Sequence, residues 1–153
     1  MIVRRGGAQD VPFMRDMLHH AFYWRESDME HGDLPVARYV SGWGRPGDAA
    51  VIAIDSGNRV GAAWFRLFPP QEAGYGFVDH ATPELAIAVV PSRRGHGIGQ
   101  ELLEGLFKQA RAEGFRTVSL SVEEGSPQVG FYERHGFRKL RKSDGSWTMV
   151  AEL

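Results

Sequence analysis

The stretch Val89-Val-Pro-Ser-Arg-Arg-Gly-His-Gly-Ile-Gly99, followed by Gln100-Glu-Leu-Leu103, has the residue types of an anion cradle. An apolar run stops at Pro91, a glycine-rich loop follows, and a helical repeat begins. Free backbone N–H groups at a helix start point at whatever lies beyond it, and the helix dipole favours negative charge there. Glycine lets the backbone come close to a phosphate. The dipole contributes only about 0.3–1 kcal/mol. Several N–H contacts, with Arg93 and Arg94, must therefore add to it. Two other phosphate loops are excluded. A Walker A loop needs Gly-Lys before Ser or Thr, and the chain has no Gly-Lys pair. The dinucleotide pattern Gly-x-Gly-x-x-Gly fails in both registers, because Gln100 and Leu102 stand where the last glycine belongs. A plain tight turn with a glycine cap is the competing reading.

Other chemistries are limited by what the chain lacks. With no cysteine there is no disulfide, thiolate-bound zinc or cysteine nucleophile. His19 and His20 are adjacent on a predicted helix and cannot face one ion together. His31, His80, His96 and His135 are scattered, so no metal site is expected. Ser41 and Ser146 lack the Gly-x-Ser-x-Gly context of a serine hydrolase. The 153 residues suit one domain, and 42% hydrophobic with 24% charged residues suit a soluble fold. A net charge of -1 gives no basic excess for gripping nucleic acid. The longest apolar runs, Ala49–Ile54 and Leu85–Val90, are six residues, too short to span a membrane. The first residues carry no apolar secretory segment, so the expected compartment is the cytoplasm.

The elements that must position the cradle follow from periodicity. Ile2–Arg4 is a short strand. Asp10 and Pro12 open a helix whose apolar spacing runs to about Trp24. Glu26 to Asp33 is an acidic loop, and Leu34–Trp43 is a second helix ended by glycines. Ala49–Ile54 and Val60–Phe68 flank Asp55-Ser-Gly-Asn58, a hairpin signal. Leu85–Val90 is a strand. Leu102, Leu103, Leu106, Phe107 and Ala110 share a helix face that closes at Gly114. Thr117–Val122 is a strand, Pro127 to about His135 a short helix, and strands lie near Phe137–Arg141 and Trp147–Ala151. The mixture predicts an α/β (α+β) sheet with helices on its faces.

Three segments in order resemble the GCN5-related N-acetyltransferase (GNAT) family. Arg94-Gly-His-Gly-Ile-Gly99 matches its Arg/Gln-x-x-Gly-x-Gly/Ala motif. Glu84-Leu-Ala-Ile-Ala-Val-Val-Pro91 is similar to its fourth strand, and Phe131-Tyr-Glu-Arg-His-Gly-Phe137 to its Tyr-Glu-x-x-Gly-Phe signature. The resemblance is specific over roughly residues 82–140. It implies one domain over 1–153, with a mostly antiparallel sheet of about six to seven strands and about four helices, strands four and five splaying apart. It implies acetyl-coenzyme A as cosubstrate, with no metal and no nucleic-acid or membrane partner. By that resemblance the backbone of Ala88 and Val89 pairs with the pantetheine arm. The groups from Arg94 through Gly95, His96, Gly97, Ile98, Gly99 and Gln100 hold the pyrophosphate. Many members carry Asn seven residues before the signature tyrosine; here that place is Gly125, and Ser126 is the residue that could replace the contact. The resemblance leaves room for a homodimer through the last two strands.

The chemistry accounts for the remaining residue types. At pH 7.4 a primary amine with a pKa near 10.4 is only about 0.1% neutral, and recovering the neutral form costs roughly 4 kcal/mol. Many family members carry a base at the head of the fourth strand, so the resemblance makes Glu84 the expected base, with Asp79, His80 or water as rivals. It likewise implies a backbone N–H near Val89 as the oxyanion donor. Tyr132 matches the family tyrosine near the coenzyme sulfur and is the expected proton donor to the leaving thiolate, and a buried core tyrosine is its competing reading. Tyr23, Trp24, Trp43, Glu26, Asp28, Glu30 and Asp33 could form an acidic, aromatic rim for a cationic acceptor, or a solvated loop over a core patch. The loop Pro69–Asp79 could cover the site. The expected activity is transfer of an acetyl group to a primary amine of a small molecule or peptide by direct attack. A non-catalytic module that binds an acyl-coenzyme A is the alternative; it would need the glycine loop but neither Glu84 nor Tyr132.

Overall fold

Seven strands build the protein: β1 (Ile2–Arg5), β2 (Ala49–Asp55), β3 (Asn58–Arg66), β4 (Glu84–Val89), β5 (Thr117–Glu123), β6 (Phe137–Ser143) and β7 (Ser146–Glu152). The computed structural model describes residues 1–22 and 36–153. The strands form one sheet in the order β1-β2-β3-β4-β5-β7-β6. Every pairing is antiparallel except β4 with β5. Three α-helices are described: α1 (Val11–Phe22), α2 (Ile98–Ala112) and α3 (Gln128–Arg134).

Side-chain alternation along the strands sends apolar groups to both faces. On β3, Ala63 and Phe65 join the core that holds Leu102, Leu103 and Leu106 of α2. Ala62 and Trp64 face the other way and meet Met14, Met17 and Leu18 of α1. The predicted hairpin turns at Ser56 (φ 53°) and Gly57 (φ 80°), and Asp144 (φ 50°) with Gly145 (φ 78°) repeats the arrangement between β6 and β7. β6 is an edge strand bearing Arg138, Lys139, Arg141 and Lys142. Like charges along an edge oppose its pairing with a second copy.

The helix expected over Leu34–Trp43 is, among the described residues, only a 3-10 turn at Val36–Tyr39. The carbonyls that would extend it are taken by side chains from β3. Arg66 donates to the carbonyls of Arg38 at 2.9 Å and Ser41 at 2.6 Å, and Trp64 Nε1 donates to that of Tyr39 at 3.1 Å. Arg66 is itself held by a two-point ion pair to Asp48, with side chains 1% and 2% exposed. Trp43 lies over its guanidinium at 5.3 Å, so this tryptophan packs.

Asp10 supports the opposite edge of the fold. Its side chain is 0% exposed and accepts from Arg4 (2.8 and 2.9 Å), Arg59 (2.8 Å) and the Gly7 N–H (2.8 Å). The Arg4 guanidinium, with help from Arg59 and Gly7, holds the carboxyl well below the usual carboxylate range against the opposing effect of burial. A carboxyl depressed in the folded state stabilises above its unfolded pKa, near 3.9, and that contribution is lost as pH falls further. Asp10→Asn is expected to lower stability by about 2 kcal/mol at pH 7, the partly exposed arginines regaining water. The difference between the urea midpoints of the two chains should begin to narrow below about pH 4 and go on narrowing below pH 3, where the folded carboxyl still holds its charge. A difference that stays constant as the pH is taken below 3 would remove the ion-pair explanation.

Candidate active site

β4 and β5 share a single register pair, Glu84 with Ser119. Beyond it the strands separate. The ladder to β3 decides which β4 groups face the gap. Val90 N–H bonds to the Val60 carbonyl at 2.9 Å, and Ala62 lies opposite Ala88. In an antiparallel ladder bonded and non-bonded pairs alternate. Ala88 therefore turns its N–H and carbonyl to β3, whereas those of Ile87 and Val89 point into the gap. This corrects the expectation for Ala88, which meets the opening as a wall residue and not through its peptide groups.

The gap widens into a cleft of about 1030 Å³. Its walls come from the end of α1, the outer half of β4, the loop into α2, the end of β5 and α3. The loop ends at the α2 N-cap, Gly97, with φ 80° and ψ 6°, and Gly95 has φ 83°. This left-handed geometry disfavours side chains. A Cβ on Gly97 would meet nothing within 4 Å, so its outer side is open. The N–H groups of Ile98, Gly99 and Gln100 open the helix and have no acceptor four residues back. Arg94 differs: its N–H bonds to the Pro91 carbonyl at 3.4 Å and its Nε to the Val89 carbonyl at 3.2 Å. Its guanidinium lies at the cleft, but its amide does not join the cradle. Arg93 pairs with Asp55 at 3.1 Å. The His96 side chain is exposed and is not among the lining residues, whereas Ser126 is among them and its Oγ accepts from the Gln128 N–H at 3.1 Å.

Tyr132 lies on the α3 wall between Phe131 (5.3 Å) and Phe137 (5.5 Å), edge to face with both. Burial pushes its hydroxyl well above the ordinary phenol value. It remains protonated and able to donate.

Glu84 occupies the closed end of the gap. Its side chain is 1% exposed, and the Tyr39 hydroxyl donates to its Oε2. That hydroxyl accepts from the Tyr75 N–H at 2.8 Å. Gly74 abuts the carboxylate so closely that a Cβ there would overlap Glu84 Oε1 and stand 2.8 Å from Tyr39 Oη. Glu84 is not among the residues lining the cleft. Asp79 accepts from the Ala81 N–H at 2.9 Å in an exposed turn, and His80 is exposed; neither lines the cleft. The loop Pro69–Asp79 is fastened through Tyr75 to Tyr39 and through the Phe77 carbonyl to Arg141. The basic residues of β6 are largely occupied: Lys139 lies over Trp147 at 4.7 Å and Lys142 pairs with Glu124 at 2.9 Å.

The expected acceptor rim of Tyr23, Trp24, Glu26, Asp28, Glu30 and Asp33 lies outside the described residues. Arg134 and His20 are among the lining residues missed in the sequence. Arg134 reaches the cleft because α3 packs on the start of α2, where Gly99 meets Phe131; a signal existed in its position three residues after Phe131 on a helix. His20 reaches it from the last turn of α1, and no spacing rule could have placed that turn beside β4. No described helix is long and apolar enough to cross a membrane, and no metal-binding cluster occurs among the described residues.

Comparison with known proteins agrees with this geometry. L-methionine sulfoximine/L-methionine sulfone acetyltransferase of Pseudomonas paraeruginosa is 26% identical over 142 residues, covering 88% of this chain and 78% of that protein. The ribosomal-protein-alanine N-acetyltransferase of Brucella melitensis superposes with a TM-score of 0.69 at 21% identity, over 100% of both chains. The paia N-acetyltransferase of Thermoplasma acidophilum, in complex with coenzyme A, superposes with a TM-score of 0.71 at 14% identity over 100% of both. These superpositions establish a common fold. The model described as "Acetyltransferase (GNAT) family" matches residues 12–137, from α1 through the first residue of β6, and the chain belongs to that family.

Proposed function

We propose that the chain is an N-acetyltransferase that moves an acetyl group from acetyl-coenzyme A to the primary amine of a small molecule or peptide. The carrying observation is the β4–β5 gap that opens into free N–H groups at the start of α2. A pyrophosphate fits that helix start, with Arg94 and Arg134 at hand. The pantetheine arm fits the gap, where the peptide groups of Ile87 and Val89 are unpaired by strand. Val89 N–H is then the donor available to the thioester oxygen. The amine attacks directly, since no cysteine exists to carry an acyl group.

Tyr132 donates a hydrogen bond to the departing sulfur. Complete proton transfer from a phenol at or above 10 to a thiolate near 8.5 is uphill by about 2 kcal/mol or more, so the hydroxyl stabilises the anion without ionising. Glu84 is held by the Tyr39 hydroxyl, which the Tyr75 N–H holds in turn, and acts as an anchor for the acceptor side. The intracellular acyl donor and the absence of cysteine support a cytoplasmic setting. The Pseudomonas relative is named for L-methionine sulfoximine and L-methionine sulfone, and the Brucella neighbour for ribosomal-protein alanine; small amino-acid analogues and peptides therefore enter the first screen.

Calorimetric titration with acetyl-coenzyme A and with coenzyme A tests the cleft. Micromolar binding is expected, followed by thiol release in the presence of an acceptor from a panel of amino-acid analogues, polyamines and peptides. A folded sample that binds neither coenzyme would sink the assignment. Binding without thiol release across the panel would return the non-catalytic alternative.

A further inference from the structure

We propose that His20, on the last turn of α1, is the base that takes the amine proton during acetyl transfer. This rests on the N-acetyltransferase reading above. The expected base, Glu84, lies outside the cleft wall with Tyr39 donating to it. The titratable side chains that do line the cleft are few. Its arginines are always cationic, and Tyr132 is protonated. Glu124 is paired with Lys142 at 2.9 Å, His19 is exposed, and Glu123 stands on the opposite, β5 wall. His20 is half-buried, makes no hydrogen bond among the described residues and stands on the α1 side of the opening, the side to which Ala88 turns.

The faces of the sheet put His20 on the correct side. Val118, Leu120 and Val122 of β5 point to the α2 core. Alternation turns Ser119, Ser121 and Glu123 to the face that α1 covers. Ala88 packs in the α1 core as well. An acceptor entering over this face passes between His20 and the Ser121–Glu123 wall, while the coenzyme's phosphates are held at α2. The charged groups around His20 are Arg94 from the loop after β4, His19 on its own helix, and Glu123 and Arg134 from the far walls. Burial, then Arg94 and His19, lower its pKa below the ordinary 6.5. The imidazole is therefore neutral at pH 7 and has a lone pair to offer.

The step balances as follows. The amine nitrogen forms a bond to the acetyl carbon, and its N–H becomes strongly acidic as it does so. That proton passes to the His20 imidazole. The carbon–sulfur bond breaks and its electron pair leaves on the coenzyme sulfur, hydrogen-bonded by Tyr132. The imidazolium returns its proton to water, and the thiolate takes one from water. The products are an amide and coenzyme A.

The test compares the wild-type protein with His20→Gln and His20→Ala, measuring kcat and KM across pH 5–9 and acetyl-coenzyme A affinity by calorimetry. Equal urea midpoints establish that the variants fold. We expect kcat to fall roughly 100-fold in His20→Gln, with coenzyme affinity within about threefold. The wild-type limb that rises with pH below 6.5 should vanish in the variant. Added imidazole should restore part of the activity of His20→Ala. A His20→Gln profile that superimposes on the wild type overturns the proposal, leaving the acetyltransferase reading intact. So does a loss confined to coenzyme affinity, which would make His20 a coenzyme contact. Wild-type protein that fails to bind acetyl-coenzyme A, or binds it without turnover, overturns the parent reading and this proposal together.

Discussion

Gly97→Glu is expected to weaken acetyl-coenzyme A binding at least about 100-fold, corresponding to roughly 2.7 kcal/mol, in a chain that still folds. Two effects act on affinity. The residue caps α2 with φ 80° in the unliganded protein, so the strain of a side chain there, about 1–2 kcal/mol, falls on stability. The added carboxylate would stand at the helix start and compete for the N–H groups that hold phosphate. It would also repel the phosphates themselves. Nothing lies within 4 Å of the Cβ position, so the fold tolerates the bulk. Gly97→Ala separates the effects, since it adds only the conformational strain, which the unliganded fold already carries; it should lower stability and leave coenzyme affinity within about threefold. Calorimetry reads both. Unchanged affinity in folded Gly97→Glu would mean that the phosphates lie elsewhere.

The second large effect is expected at Tyr132. Tyr132→Phe should reduce kcat by about 10- to 100-fold and leave coenzyme affinity within about threefold. The ring packs between Phe131 and Phe137, and phenylalanine preserves that packing. Only the donor to sulfur is lost. Because burial raises the hydroxyl's pKa, Tyr132 should contribute no alkaline limb to the rate profile through pH 10. The sign for stability is opposite to that of Asp10. A phenol raised in the folded state favours folding below its unfolded pKa, near 10, and that contribution is lost as pH rises further. A variant as fast as the wild type would make Tyr132 a core residue alone.

The strand, glycine loop and helix start of the proposed cradle were legible in the chain because they are local. A strand, a glycine loop and a helix start lie within about fifteen consecutive residues, and backbone geometry does most of the work. Tyr132 was legible for a similar reason, set by the signature from Phe131 to Phe137. Glu84 was placed correctly at the head of β4, but its surroundings were not. Tyr39 and Gly74-Tyr75 come from segments 45 and about ten residues away, and no periodicity links them to it. The expected helix over Leu34–Trp43 failed because Arg66 and Trp64, distant in the chain, draw its carbonyls into other bonds.

The amino-acid sequence by itself determined most of the elements and the strand, glycine loop and helix start proposed as an anion cradle, because each depends on spacing within one segment. Only the tertiary structure decided which β4 peptide groups face the gap, since that follows from the register with β3. It also decided that Glu84 is enclosed and that His20 lines the cleft. Those assignments depend on which chain-distant elements pack together, and side-chain spacing within a segment carries no record of that.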